Sequence, residues 1–319
     1  MAEKLEKKRN VMVAVSAQMV KALREQTGAG MMDCKKALNE TGGVLGDAID
    51  WLRTKGLSAA AKKAGRVAAE GVVAFSVSKN GGALIEVNAE TDFVSRNSDF
   101  QEFSLKLATM TLEYGDEIES MKMQPYPGSG RTVGEQLTHN IATIGENMSI
   151  RRAKRLNAEN GVVVPYMHNA VAPGIGKIGV LVVLKSEASE DQLIGLGKQI
   201  AMHVAATSPQ SLSIDDLDPA VVEREKTVLT DQAKESGRPE NIIEKMVVGR
   251  LQKFYQEVVL LEQTFVVDNE TKISNVIDNA SKEFGATVEL VSFCRLSLGE
   301  GIEKDETDFA SEVAATLNN

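Results

Sequence analysis

Apolar residues along the chain follow two periods, and the changes between them mark its organisation. Met19, Val20 and Leu23 recur at helical spacing behind Ser16, a natural N-cap, and Thr27-Gly28-Ala29-Gly30 stops that helix. Asp33 is then placed to cap a second short helix through Ala37 and Leu38, which Thr41-Gly42-Gly43 breaks. A third helix is predicted over 45–55, with Ala48, Ile49 and Leu52 inward. Together these predict a small three-helix N-terminal domain over 11–56 with a thin core. Residues 57–70 are Ala-rich and basic and read as a helical linker. Its Lys62, Lys63 and Arg66 suit either a solvated charge run or an anion contact.

From Gly71 the period becomes strand-like. Residues 72–78 (VVAFSVS), a turn at Lys79-Asn80-Gly81-Gly82 and residues 83–87 (ALIEV) predict a β-hairpin. A loop over 88–92 and an amphipathic helix over 98–112 follow, the helix using Phe100, Phe103, Leu107 and Met110. Residues 122–132, with Pro125, Pro127, Gly128 and Gly130, predict a mobile loop, and 133–148 a helix interrupted near Gly145. At Gly161 the pattern returns, with strands over 162–167 and 177–185 around a loop at 172–176, then a helix over 191–206. The recurrence at 71–112 and 161–206 reads as an internal duplication of a small α+β unit. It predicts one core subdomain over 71–160 and a second over 161–218 with 263–298.

Residues 219–262 interrupt the second unit. Val247, Leu251, Phe254, Val258 and Leu261 are spaced 4, 3, 4, 3, a heptad seam, and Val222 and Leu229 stand seven apart. Gly237-Arg238-Pro239 separates the halves. The stretch predicts an antiparallel coiled-coil hairpin with arms of ~18 and ~23 residues, the longer about 35 Å. Its seam suits a projecting hairpin or packing within the core equally well. A strand over 264–267, a helix over 274–284 and a strand over 287–298 complete the unit. Gly299-Glu300-Gly301 then hinges to a last module, 299–319. Its helix over 305–317 carries Phe309, Val313 and Leu317 on one face, so it docks or binds a partner.

Composition narrows the function. The chain has 319 residues, is 43% hydrophobic and 25% charged, and carries a net charge of −9, which disfavours a general phosphate-backbone binder. Only 4% is aromatic, too little for a platform that stacks single-stranded bases. Cys34 and Cys294 lie far apart, as do His139, His168 and His203, and no HExxH or CxxC occurs. A reducing compartment is expected, and neither a metal centre nor a cofactor. The apolar run VMVAV (11–15) is five residues long, short of the ~7–15 of a signal h-region. No run approaches the ~20 residues of a spanning helix. A cytoplasmic protein without membrane or direct nucleic-acid partners is the expectation.

Catalytic motifs are absent too. Gly174-Ile175-Gly176-Lys177 fails as a phosphate loop, because Val171 stands where Gly is required and Ile178 where Ser or Thr is required. There is no GxSxG elbow, and neither cysteine has an evident His partner.

Three other places stand out. Glu90-Thr91-Asp92-Phe93-Val94 follows a strand directly. Asp92 there either caps the next turn with Phe93 tucked inward, or sits beside Phe93 as an exposed aromatic wedge. Met31-Met32 follows the Gly30 turn, where two adjacent methionines on a loop cannot both face one thin core. His203, within IAMHVAA (200–206), is either a satisfied core histidine or a contact on a flat Ala-rich face.

Several long motifs, in order, resemble those of the bacterial translation elongation factor Ts family. They are LREQTGAGMMDCKKAL (23–38), EVNAETDFVSR (86–96), IAMHVAA (200–206), EKMVVGRLQKF (244–254), QTFV (263–266) and GEGIEKDETDFASEVAA (299–315). The N-terminal ten or so residues and the Pro/Gly loop at 122–132 depart from the pattern. The resemblance implies a nucleotide exchange factor for the GTPase elongation factor Tu, which performs no covalent chemistry. It implies a ubiquitin-associated-like N-terminal domain, two similar core subdomains, an inserted coiled coil and a C-terminal helix. Phe93 would wedge between helices of the GTPase, and Asp92, within the stretch Thr91, Asp92, Phe93 and Val94, would disturb its Mg²⁺ site. His203 would press near its phosphate loop, Met31 and Met32 would anchor the N-terminal domain, and the last helix, with Phe309, would hold the partner from another side. The hairpin seam is compatible with a homodimer.

Overall fold

A computed structural model describes residues 15–235 and 237–303. The helix over 305–317, with Phe309, and the first residues of the 11–56 module lie outside the described residues.

Helix α1 (Ala17–Thr27) starts as its cap predicts, with Ser16 Oγ accepting from the Met19 N–H at 3.2 Å. It ends at Gly28, whose φ of +69° is the left-handed conformation glycine favours. Helix α2 (Met31–Glu40) starts earlier than a cap at Asp33 would allow. Asp33 is therefore not a cap; it lies in the first turn, where a carboxylate favours the helix dipole, and pairs with Lys55. Met31 and Met32 are the first two helical residues rather than a loop. Helix α3 (Leu45–Lys63) runs well past the predicted end at Lys55, carried by its Ala and Lys content. Val20, Leu23, Cys34, Ala37, Leu38 and Ala48 are the buried core of this bundle.

Two antiparallel sheets follow. The first has the order β3-β2-β1-β5, from β1 (Glu70–Ser78), β2 (Gly81–Ala89), β3 (Met148–Asn157) and the short β5 (Ile175–Gly176). The second has the order β4-β6-β7, from β4 (Gly161–His168), β6 (Ile178–Lys185) and β7 (Glu289–Ser297). The sheets face each other across Val73, Leu84, Leu181, Val183 and Leu296. Their approach demands glycine: a Cβ on Gly179 would lie 2.8 Å from both Leu84 and Val73 side chains. Helices cover the outer faces. On the first sheet these are α4 (Ser98–Tyr114), α5 (Ile118–Lys122) and α6 (Val133–Ile144), with Phe100, Phe103 and Leu107 innermost. On the second they are α7 (Glu190–Thr207) and α10 (Ile273–Phe284).

Both sheets repeat one order, two hairpin strands, then helices, then a third strand beside the second. Each has a register shift against that third strand, opposite Glu86/Val87 and Val183/Leu184, where Arg151 of β3 and Val291 of β7 are the extra residues. The Pro/Gly loop also has a counterpart. Tyr126 N–H donates to Arg131 O at 2.7 Å and Val133 N–H to Gln124 O at 2.9 Å. Phe265 N–H donates to Thr271 O at 2.8 Å and Ile273 N–H to Gln263 O at 3.0 Å. The strand predicted over 264–267 is thus this closed turn, with one bridge between Thr264 and Lys272. In the first loop Tyr126 is buried against Phe103, their rings 5.6 Å apart, which anchors a stretch expected to move freely.

Helices α8 (Pro219–Lys234) and α9 (Glu240–Val258) form the hairpin. Among the described residues, Leu229, Ala233 and Val247 are buried in its seam, with Ile243 and Leu251 beside them. Leu261, the last residue of the predicted heptad, packs into the second core instead, so the 19 residues of α9 make an arm of about 28 Å.

One carboxylate ties the sheets together at their edge. Glu86 on β2 is fully buried between them. It accepts from Arg152 Nε at 2.5 Å, from Arg151 at 3.2 Å and from the Gly299 N–H at 2.8 Å. Arg152 also donates to Ser297 O at 2.7 Å, and Arg151 to Glu300 O at 2.6 Å. Three segments thus converge on a single side chain.

Helix α3 packs on α6, with Arg53 paired to Glu135. His139 of α6 meets the Gly28 turn, where a Cβ would lie 3.4 Å from its Nε2. Burial and nearby Arg131 push the His139 imidazole down to about 4.

This packing has consequences for stability. Glu86→Ala leaves two guanidinium groups without their buried partner, and should lower stability by about 3 kcal/mol in urea unfolding; an unchanged midpoint would remove Glu86 from the account. An unfolded histidine protonates near 6.5, whereas folded His139 stays neutral to about 4. Between those values the unfolded chain binds more protons, so stability falls as pH falls. Thermal melts from pH 7 to 5 should show this decline, and His139→Gln should make it shallower, leaving the part due to His203, whose burial also lowers its imidazole.

Candidate functional site

The register of β2 with β3 ends at Ala89 opposite Met148. Beyond it, side chains continue the ladder. Glu90 accepts from the Asn147 N–H at 2.5 Å and pairs with Arg66 at 3.3 Å. Asn147 Nδ2 donates to Arg66 O at 2.7 Å. In return, Glu146 accepts from the Thr91 N–H at 2.9 Å and from the Thr91 hydroxyl at 2.6 Å. Two carboxylates on adjoining segments therefore clasp each other's backbone. Charge-assisted bonds of this kind are about twice as strong as neutral ones.

The clasp fixes the start of a 3-10 turn, Asp92–Arg96. Asp92 does not cap the next helix with its side chain; its carbonyl accepts from the Ser95 hydroxyl at 2.6 Å. The cap of α4 is Asn97, whose side chain accepts from the N–H groups of Asp99 and Phe100. A short turn pinned at both ends cannot bury every side chain. Val94 points in and is 4% exposed, whereas Phe93 points out and is 77% exposed. Of the two sequence readings of Phe93, the exposed aromatic is the one the fold adopts. Asp92 beside it is exposed as well.

The remaining candidates divide. Met32 is 77% exposed and Met31 46%, both on the first turn of α2. His203 is fully buried on α7, which is the core-histidine reading of the two that its sequence allowed. Its Nδ1 accepts from the Val266 N–H at 3.3 Å, so its Nε2 carries the proton and donates to Gln263 Oε1 at 2.9 Å. Burial holds this imidazole below its ordinary value, and both nitrogens are occupied. Val94 is likewise a core residue, and Thr91 has its hydroxyl committed to Glu146.

Sequence reading missed Glu146 and Asn147, because their bonds to Thr91 and Glu90 join segments 55 or more residues apart and leave no local pattern, while Arg66, read as a solvated charge or an anion contact, meets the Glu90 carboxylate. It also missed Met123, 74% exposed near the end of α5, which sat inside the stretch read as loop.

No thiol chemistry is placed here. Burial pushes the Cys294 thiol up to about 12 and raises that of Cys34 as well. Among the described residues, no three His, Cys, Asp or Glu side chains gather as a metal site, and no helix is long and apolar enough to cross a membrane.

Comparison with known proteins meets this geometry. The profile of the family described as Elongation factor TS matches residues 90–300. The chain is 59% identical over 304 residues to Elongation factor Ts of Rhodospirillum centenum, covering 95% of this chain and 99% of that one. It is 60% identical over 307 residues to Elongation factor Ts of Rhodospirillum rubrum, covering 96% and 99%. It is 50% identical over 305 residues to that of Mesorhizobium japonicum, again covering 96% and 99%. The matched span runs from the clasp residue Glu90 to Glu300 and takes in the exposed turn, and the relatives extend the likeness over nearly the whole chain: the chain belongs to the elongation factor Ts family.

Proposed function

We propose that the chain is a guanine nucleotide exchange factor for the GTPase elongation factor Tu, and that it acts by binding alone. The family name supports a role in translation elongation, and the observation that carries the mechanism is the exposed Phe93 on its clasped turn. Phe93 is the wedge, and Asp92 beside it is the group that disturbs the partner's Mg²⁺ site. Thr91 and Val94 hold the pair in place, one through Glu146 and the other through the core. Met31 and Met32 form a second anchor on a ubiquitin-associated-like bundle, the two sheets form the paired subdomains, and the last helix with Phe309 gives a third anchor. His203 supports the second subdomain from inside.

The thermodynamics is linkage. A factor that favours a GTPase conformation with a poor grip on GDP is itself weakened by GDP to the same degree. A thousandfold loosening requires about 4 kcal/mol of differential binding. Burying one Phe contributes ~1.5–3 kcal/mol, so two or three anchors suffice. Val228 and Val248, exposed on the hairpin, favour self-association as a separate property of α8 and α9.

Phe93→Ala should slow release of a fluorescent GDP from the GTPase by about 10–150-fold in stopped flow. The exposed site should keep the melting point unchanged. Exchange at the normal rate would discard the wedge. Glu146→Ala, which frees the Thr91 amide, should slow release less than Phe93→Ala and add nothing in the Phe93→Ala background. Additive losses in that double-mutant cycle would show that Glu146 does not act through the turn.

A further inference from the structure

Two exposed apolar features stand on different parts of the fold. Phe93 projects from the clasped turn of the first subdomain, and Met31 and Met32 from the first turn of α2 in the N-terminal bundle. Helix α6 meets the supports of both.

At the bundle the methionine turn is held on either side. Before it, Gly28 lies against the His139 ring of α6, where a Cβ would be 3.4 Å from Nε2. After it, Asp33 pairs with Lys55 of α3. Helix α3 is in turn seated on α6. One oxygen of Glu135 accepts from the Thr132 N–H at 3.0 Å and so starts α6, and the other pairs with Arg53 of α3. One turn along α3, Gly56 lets the two helices approach, a Cβ there lying 3.4 Å from the Ala142 methyl. Glu135, His139 and Ala142 are four and three residues apart, so they share one face of α6.

The same helix ends at the other feature. Gly145 caps it in the left-handed conformation, with φ of +95°. The next two residues are the clasp: Glu146 accepts from Thr91, and Asn147 donates to Glu90 and to the Arg66 carbonyl. The 12 residues of α6 span about 18 Å. A single helix thus runs from the support of Met31 and Met32 to the support of Phe93.

We propose that α6 is a strut that fixes the span between these two anchors, and that His139 is the positioning residue at its bundle end. The inference rests on the exchange reading, in which both anchors meet one partner. Anchors on one rigid body engage together, whereas a bundle free to swing offers its methionines only at the effective concentration of a flexible tether. Holding the span in advance removes that ordering cost from binding. The His139 ring is uncharged at neutral pH, so it packs against the Gly28 turn without needing a counter-ion.

The test compares the unsubstituted chain with His139→Ala, His139→Gln and Gly56→Leu. His139→Ala removes a contact, and Gly56→Leu adds bulk at the joint while favouring helix locally. In ¹⁵N relaxation, amides of α1 and α2 should share one rotational correlation time with those of β1 and β2 in the unsubstituted chain. Those of α1 and α2 should tumble faster in His139→Ala and in Gly56→Leu. In stopped flow, the factor concentration for half-maximal GDP release should rise about tenfold in both, with the saturating rate kept. His139→Gln, which keeps the bulk against Gly28, should behave as the unsubstituted chain. With Met31→Ala and Met32→Ala already present, His139→Ala should cost nothing further. Independent tumbling of the bundle in the unsubstituted chain overturns the proposal. So does normal release by His139→Ala where Phe93→Ala is slow, and so does a loss that persists in full without the methionines, which assigns His139 to folding alone. An unsubstituted chain that leaves GDP in place overturns the exchange reading itself, and the positioning role with it.

Discussion

The buried carboxylate of Glu86 is the constraint on which the arrangement rests. A charge taken out of water is tolerated only when it is paired and fully hydrogen-bonded. Glu86 meets that demand by drawing in partners from places distant in sequence: two arginines of β3 and the amide of Gly299, besides its near neighbour Asn88. Arg152 reaches on to Ser297 O, and both arginines to Glu300. Apolar packing between the sheets is non-directional and allows them to slide. The carboxylate is directional, and it fixes where β7 and the exit of the chain lie against the first sheet.

The same logic recurs a few residues along β2. Glu90 and Glu146 each accept from the other segment's backbone, so the ladder does not fray where the backbone pairing stops. In the proposed role this rigidity has a value that can be bounded. Ordering a free five-residue turn on contact costs about 1–2 kcal/mol per residue, some 5–10 kcal/mol in all. That exceeds the ~4 kcal/mol needed to loosen a nucleotide a thousandfold. A wedge on a floppy loop would consume its own contact energy. A wedge ordered during folding delivers nearly all of it to the partner.

Much of the fold was legible because it is local. Ser16 as a cap, the Lys79-Asn80 turn, the helices α4 and α7, and the hairpin break at Gly237-Arg238-Pro239 are each signalled within a few residues. Strand β3 was not. Its Arg151, Arg152, Lys154 and Arg155 hide the alternation of Met148, Ile150 and Ala153, and the register shift at Glu86/Val87 breaks the period where it is most needed. Two of those cations meet Glu86, a reason visible only in three dimensions. The loop over 264–267 misled in the opposite sense, since Phe265 and its neighbours have strand-like composition but serve one buried ring on a closed turn.

The candidate site divides along the same line. Phe93 and the Met31-Met32 pair each carried an exposed reading beside a core one, and Phe93 and Met32 are exposed. His203 shows the limit of motif reading. Its neighbours Ala201 and Val204 are buried, and its ring is held between Gln263 and the Val266 amide, next to Phe265. Gln263 and Phe265 belong to the turn that answers Gln124 and Tyr126 in the first unit. The histidine therefore joins α7 to the turn that re-enters the second unit after the hairpin, across 60 residues of chain. Within residues 200–206 the exposed side chains are Met202, at 38%, and Ala206, while the buried His203 sets the helix's seat.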